Sequence, residues 1–229
     1  MLIIIDKRIP KEAKKRLSHF GDLVELSTQN ITYSAISGHP DIFLCQTPKS
    51  LICAPNLPEN YQTIFKNKGI DFILGNNLVG SSFPETSFYN CLVTEDYLFH
   101  KKGHTDKQIL KQCEEIEFIN LPQAYTRCSL IAISPQNFIS SDKGIEKALR
   151  KHRLNVHYFS SKEILLPDMP HGFIGGALGL HSNKLFVIGN PDFHSWGNEF
   201  KALIKRQDIE LISLYNGSFF DGGGIFFLE

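Results

Sequence analysis

Apolar residues along this chain fall in short runs separated by longer amphipathic stretches, and one order of elements recurs. A short apolar strand is followed by a turn and a second apolar strand. An amphipathic helix comes next, then a third strand. The clearest copy starts at Cys128. Residues 129–133 are its first strand, Ser134-Pro135-Gln136-Asn137 supply turn chemistry, and residues 138–140 are the second strand. Asp142 stands where a helix N-cap is needed, because its carboxylate can accept from the free amides of the first turn. Ile145, Ala148 and Leu149 then share one helix face, with Lys143, Glu146, Lys147 and Arg150 on the other. Residues 156–159 form the third strand.

Three more copies start at Asn90, Asp41 and Gly176. From Asn90 the strands are 91–93, 97–100 and 117–119, with Asp106 capping a helix that carries Ile109, Leu110 and Cys113. From Asp41 they are 42–44, 51–53 and 72–74, with a helix around Tyr61, Ile64 and Phe65. From Gly176 they are 178–180, 185–188 and 211–214, with a helix around Phe200, Leu203 and Ile204. The fifth copy is split. Residues 224–228 read as a strand with no helix after it, while the chain opens with strand 2–5, a helix around Ala13, Leu17 and Phe20, and strand 23–26. The last strand supplies what the first repeat lacks, so the two ends are expected to pair and close a ring, which removes exposed sheet edges. The units account for residues 1–229, and one domain is expected. Turn-rich stretches at 75–77, 80–82, 166–172 and 216–217 are expected to be loops gathered at one end of the ring, where sites are usually built.

Composition narrows the function classes. Lys plus Arg and Asp plus Glu are equal at 24 each, and the one basic cluster, Lys11, Lys14, Lys15 and Arg16, has the spacing of a solvated helix face. That balance argues against a nucleic-acid partner, which calls for a basic stripe. The five cysteines are odd in number and contain no C-x-x-C pair, which fits reduced thiols better than a disulfide framework or a zinc ribbon. Residues 1–5 are too short an apolar run for a signal peptide, and no run approaches a membrane span. A cytoplasmic protein with no membrane partner is expected. Neither a P-loop nor a dinucleotide fingerprint occurs: Gly172, Gly175 and Gly176 precede a strand, where a dinucleotide motif needs a helix. His100, His104, His171, His181 and His194 are scattered over different repeats. No cofactor and no metal are expected.

Five ββαβ units in a ring, closed by a strand from the far end of the chain, resemble the pentein or α/β-propeller fold. Arginine deiminase, agmatine deiminase, the amidinotransferases and a ribosome anti-association factor share that fold. The strings His39-Pro40-Asp41-Ile42, Tyr89-Asn90, Tyr125-Thr126-Arg127-Cys128-Ser129, Ser141-Asp142-Lys143-Gly144-Ile145 and Gly172-Phe173-Ile174-Gly175-Gly176 resemble an uncharacterised bacterial family of this fold. The deiminases carry Glu-Gly-Gly before a strand and a C-terminal Gly-Gly-Gly-Ile-His-Cys-like motif whose cysteine attacks the guanidinium carbon. Here these stretches read Ile174-Gly175-Gly176 and Gly222-Gly223-Gly224-Ile225-Phe226-Phe227, so the glycines match while the glutamate and the nucleophile are absent.

In such a ring the residues that begin the first strands face one another. That gathers Asp41 with His39, Asn90, Cys128 with Arg127, Gly175 and Gly176, and Gly224 with Asp221. Cys128 beside Arg127 reads as a thiolate nucleophile with a depressed pKa, or as a small buried residue. His39 reads as a general base with Asp41 on the same loop, or as a loop histidine bonded to backbone. Asn90, Arg127, Gly175, Gly176 and Asp221 are the candidate ligand-binding set, with the Gly175 and Gly176 amides offered to an anion. Tyr89 and Tyr125 read either as stacking platforms or as core. Cys45, Cys53, Cys91 and Cys113 sit in apolar patterns and read as core. Three functions fit: a cysteine-dependent hydrolase or transferase acting on C–N bonds of a small guanidino or amide ligand, a non-catalytic small-molecule binder, or a ribosome- or protein-interaction module.

Overall fold

The computed structural model describes residues 1–229, and its strands form five three-stranded sheets. The first sheet holds β1 (Leu2–Asp6) and β2 (Asp22–Leu26). The second is β3 (Leu44–Gln46), β4 (Leu51–Cys53) and β5 (Phe72–Leu74). The third is β6 (Leu92–Val93), β7 (Tyr97–His100) and β8 (Glu117–Asn120). The fourth is β9 (Leu130–Ser134), β10 (Asn137–Ser140) and β11 (Asn155–Tyr158). The fifth is β12 (Leu178–His181), β13 (Lys184–Val187) and β14 (Glu210–Ser213). β15 (Phe226–Leu228) returns to the first sheet.

Every sheet repeats one plan. An inner strand pairs antiparallel with a middle strand, and the middle strand pairs parallel with an outer one. Parallel neighbours need a crossover, and a helix supplies it each time: Lys11–Leu17, Glu59–Asn67, Lys107–Gln112, Lys143–Lys151 and Gly197–Arg206. The fold is a five-bladed α/β propeller of the pentein kind. No helix is long and apolar enough to cross a membrane.

Closure rests on β1. Its residues are buried throughout, and it lies between β15, with Ile3 opposite Phe227 and Ile4 opposite Phe226, and β2. Side chains alternate along a strand. Ile3 and Ile5 therefore enter a core with Leu17, Phe186 and Phe227, while Leu2 and Ile4 enter another with Val24, Phe226 and Leu228. A strand buried on both faces reads as a continuous apolar run, which is why residues 2–5 do not alternate.

The expected helix caps are present. Asp142 accepts from the Ile145 amide at 2.9 Å and Asp106 from the Gln108 amide at 2.8 Å. Asp106 also accepts from the amides of Asn76 and Asn77, which ties the 75–77 loop to the third blade.

Four of the five inner strands begin one or two residues later than the apolar pattern implied, and β12 begins at Leu178 as expected. Pro40–Phe43 and Thr126–Ser129 each wind into one helical turn, and Gly175–Ala177 into a 3-10 turn, before β3, β9 and β12 start. Pro40 suits the first helical position because its φ is fixed and it has no amide to leave unpaired. The carbonyl of Asn90 accepts from both the Thr126 and Arg127 amides and so starts the second turn. β15 begins only at Phe226 because Gly223 and Gly224 have φ of +69° and +81°, which no extended strand adopts. These turns close one end of the ring axis.

Ile4→Ala should lower unfolding free energy by about 2–5 kcal/mol, the range for a fully buried isoleucine. Leu74→Ala, at a 44% exposed position, should change it by less than about 0.5 kcal/mol. Urea denaturation of both variants checks that the β1 seam, and not apolar content in general, holds the ring.

Candidate functional site

The turns at the closed end of the axis bring together residues far apart in sequence. His39 leads into the Pro40–Phe43 turn, which carries Asp41, and Cys128 lies within Thr126–Ser129. Asn90 comes shortly before β6, Asp221 stands ahead of the glycine turn, and Asp6 ends β1. All six side chains are buried.

The Cys128 thiol donates to Asp41 Oδ2 at 2.8 Å. The Asn90 amide donates to Cys128 Sγ at 3.0 Å and to the Asp41 carbonyl at 3.2 Å, while its own oxygen accepts from the Cys128 amide. Asn90 thus fixes the thiol against Asp41. His39 Nδ1 lies 3.9 Å from both Asp41 Oδ1 and Asp221 Oδ1, and Nε2 lies 3.9 Å from Asp6 Oδ2. These distances are too long for hydrogen bonds. Both imidazole nitrogens and Asp41 Oδ1 are buried without a partner. Asp221 is held by the amides of Phe173 and Gly223, and Asp6 by Arg8 at 2.6 Å.

Burial dominates the electrostatics. It pushes the Asp41 carboxyl up to about 6, with the His39 imidazole pulling the other way. Asp221 is raised for the same first reason. The Cys128 thiol is pushed well above its ordinary value by burial and then by Asp41 and Asp221. The resting group is therefore a thiol, which corrects the expectation of a thiolate depressed by Arg127. The Arg127 guanidinium makes no hydrogen bond to the sulfur and donates to the carbonyls of Gly175 at 2.8 Å and Leu178 at 3.3 Å.

His39, Asp41, Asn90, Cys128 and Asp221 meet as the ring arrangement implied. Gly175 and Gly176 contribute close approach and carbonyls. The Gly176 carbonyl accepts from Gly222 and Gly224, and a Cβ on Gly176 would sit 1.8 Å from Asp221 Oδ1. Tyr89 is core: it is fully buried and its hydroxyl bonds the Asn77 carbonyl. Tyr125 is partly buried, with its hydroxyl in contact with Thr86 Oγ1. Cys45, Cys53, Cys91 and Cys113 are buried, and Cys45 Sγ lies 3.4 Å from Cys91 Sγ. His100 is engaged in the core by Thr105 and the Ala124 carbonyl.

Sequence reasoning missed Asp6, Arg8 and Tyr33. The signal for Asp6 was a charged residue ending an unbroken apolar run. Arg8 extends from Asp6 to the carbonyls of Ser34 and Ala35, and Ser34 Oγ reaches Asp168 Oδ2 at 3.3 Å. Burial raises the Tyr33 hydroxyl pKa, followed by Tyr125 and then by the charges of Cys128 and Asp41, which places Tyr33 beside the cluster. His39, Asp41 and Cys128 also offer a nitrogen, an oxygen and a sulfur within 4.8 Å of one another, a donor set of the kind that holds zinc.

Residues 4–226 match the model of a family described as a family of unknown function, DUF6873. The chain belongs to that family. The chain also shares its fold with solved enzymes of low sequence identity. A DDAH mutant from Pseudomonas aeruginosa complexed with citrulline has a TM-score of 0.52 and 9% identity, over 93% of this chain and 91% of that one. An amidinotransferase from Microseira wollei gives 0.55 and 10%, over 93% and 87%. Agmatine deiminase from C. jejuni gives 0.52 and 11%, over 95% and 78%. No curated protein matches. These likenesses show the pentein fold.

A carboxyl whose pKa rises from 3.8 to about 6 on folding destabilises the fold above pH 6, because the folded state disfavours its charge. The penalty is about 3 kcal/mol at full ionisation and fades as pH falls from 6 to 3.8. Asp41→Asn should therefore be more stable than the wild type by about 1–3 kcal/mol at pH 7.5, with the gap closing towards pH 4. Denaturation of both proteins across that range is the check. A less stable Asp41→Asn protein at pH 7.5 would mean that the ionised carboxylate is a net stabiliser.

Proposed function

We propose that this protein is a cysteine-dependent enzyme acting on a C–N bond of a small guanidino or amidino compound, with Cys128 as the relocated nucleophile. The observation that carries the reading is the Cys128 thiol bonded to Asp41 while Asp41 Oδ1 and both His39 nitrogens stand unpartnered beside it. Unpaired buried polar atoms destabilise a fold by about 1–3 kcal/mol each, and such arrangements concentrate where a ligand completes them. Asp41 and Asp221 together form an anionic seat for a planar cation.

The chemistry follows from the charges. A cation seated between Asp41 and Asp221 lowers the thiol's pKa, since opposite charge favours the ionised form. Asp41 accepts the proton from Cys128, and Sγ attacks the central carbon of the substrate. An S–C bond forms and the C–N bond breaks, with His39 giving a proton to the departing amine. Water then adds to the same carbon, the S–C bond breaks, and the thiol recovers its proton. Transfer to an amine in place of water makes the same site a transferase. Entry requires movement of the chain around the cluster, because all of the cluster's side chains are buried.

A second reading is a resident cation without turnover. Separations of 3.9 Å between His39 and its carboxylates span a single ion without rearrangement, and the donor set suits a metal.

The test is release of ammonia or amine from a panel of guanidines and amidines, with metal content measured on the same preparation. Turnover should vanish in Cys128→Ser and fall by at least about 100-fold in Asp41→Asn, the scale of a lost general base. Saturable guanidinium binding without product would shift the assignment to a binding protein. A stoichiometric metal lost in both Cys128→Ser and His39→Ala would shift it to a metal site.

A further inference from the structure

The ring axis holds a second site. The five inner strands surround a cavity of about 240 Å³. It lies below the usual size of drug-sized pockets, so it suits a small ligand. Val93, Ala132, Leu180 and Phe226 supply apolar wall, and Gln46 and His181 supply polar groups near its mouth. None of His39, Asp41, Cys128 or Asp221 lines it. The one full charge among its lining residues is Arg127, which reaches in from the Thr126–Ser129 turn.

Arg127 is an unusual neighbour for such walls. Its two protein hydrogen bonds go to backbone carbonyls, so most of its five N–H groups have no protein partner. It pairs with no carboxylate, and its guanidinium lies over the Phe226 ring at 5.4 Å. Gly224 makes room for it: a Cβ there would meet Arg127 Nη2 at 2.9 Å. Asp41 and Asp221 act on the guanidinium's charge without bonding it, so its remaining N–H groups stay open to an anion in the cavity. At the mouth, His181 stacks on Phe227 and faces the Glu229 carboxylate at 3.5 Å.

We infer that this axial cavity binds a small monocarboxylate with a short apolar tail, its carboxylate on the Arg127 fork and its tail against Val93, Ala132 and Phe226. One planar fork matches one carboxylate. A phosphate dianion brings more charge than a single guanidinium compensates, and the apolar walls offer it no donors. The inference goes beyond the proposed reaction and does not rest on it, because none of the buried cluster's side chains lines the cavity.

Isothermal titration with butyrate, butyramide and inorganic phosphate tests it on the full chain. Butyrate should bind with a Kd of about 1 mM, butyramide at least about ten-fold more weakly, and phosphate not measurably. Arg127→Gln should lose at least about ten-fold in butyrate affinity. Ala132→Phe, which fills the cavity and leaves Arg127 in place, should lose as much while unfolding at a temperature near that of the wild type. Asp41→Asn should keep butyrate binding, which separates this site from the buried cluster. Equal affinity for butyrate and butyramide would overturn the inference. So would tighter binding of phosphate, undiminished affinity in Ala132→Phe, or no saturable butyrate binding up to about 20 mM.

Discussion

The pairing of β1 with β15 is the contact on which the rest of the molecule depends. It joins residues from opposite ends of the chain, Ile3 to Phe227 and Ile4 to Phe226, and turns a row of five blades into a ring. An open row would leave two sheet edges exposed and two half-finished cores. Closure also has a chemical consequence. It sets Asp6, at the end of β1, and Asp221, just before β15, on either side of His39. The charged cluster on the axis exists only in the closed ring.

That cluster is tolerated because the ring around it over-determines its position. Three aspartates, a histidine and a cysteine in a dry interior are a poor choice for stability, since burial disfavours every charge among them. Asn90 locks the thiol, Arg8 locks Asp6, and the Phe173 and Gly223 amides lock Asp221. His39 and one oxygen of Asp41 are what remains unlocked. An arrangement rigid at its edges and unsatisfied at its centre supports the proposed cation seat.

The blades were legible because burial writes itself into periodicity. The middle strands are continuous apolar runs, the crossover helices have one apolar face, and Asp106 and Asp142 signal their helix starts chemically. The axis was legible in outline for the same reason: once repeats are aligned, the residues ahead of each inner strand must converge. Finer features were not. The turn at Thr126–Ser129 depends on the Asn90 carbonyl, which is distant in sequence. The direction of the Cys128 pKa depends on burial and on Asp41 and Asp221, which distant segments bring to the sulfur. Arg127 is adjacent to Cys128 in the chain, yet its guanidinium bonds the Gly175 and Leu178 carbonyls, while Asp41, 87 residues away, sits against the sulfur. Adjacency in sequence was a poor guide to adjacency in field. Asp6 was hidden by the strand it terminates.

The central claim is that Asp41 and Asp221 hold a cation in the interior of the ring. Carbon-13 NMR of the two carboxylates, titrated against pH with and without a few millimolar guanidinium, tests it most directly. The account predicts that Asp41 titrates near 6 in the free protein and that guanidinium moves it down by about one unit or more, with Asp221 shifting in the same direction. Carboxylates that titrate in their ordinary range, or that ignore guanidinium entirely, would contradict it.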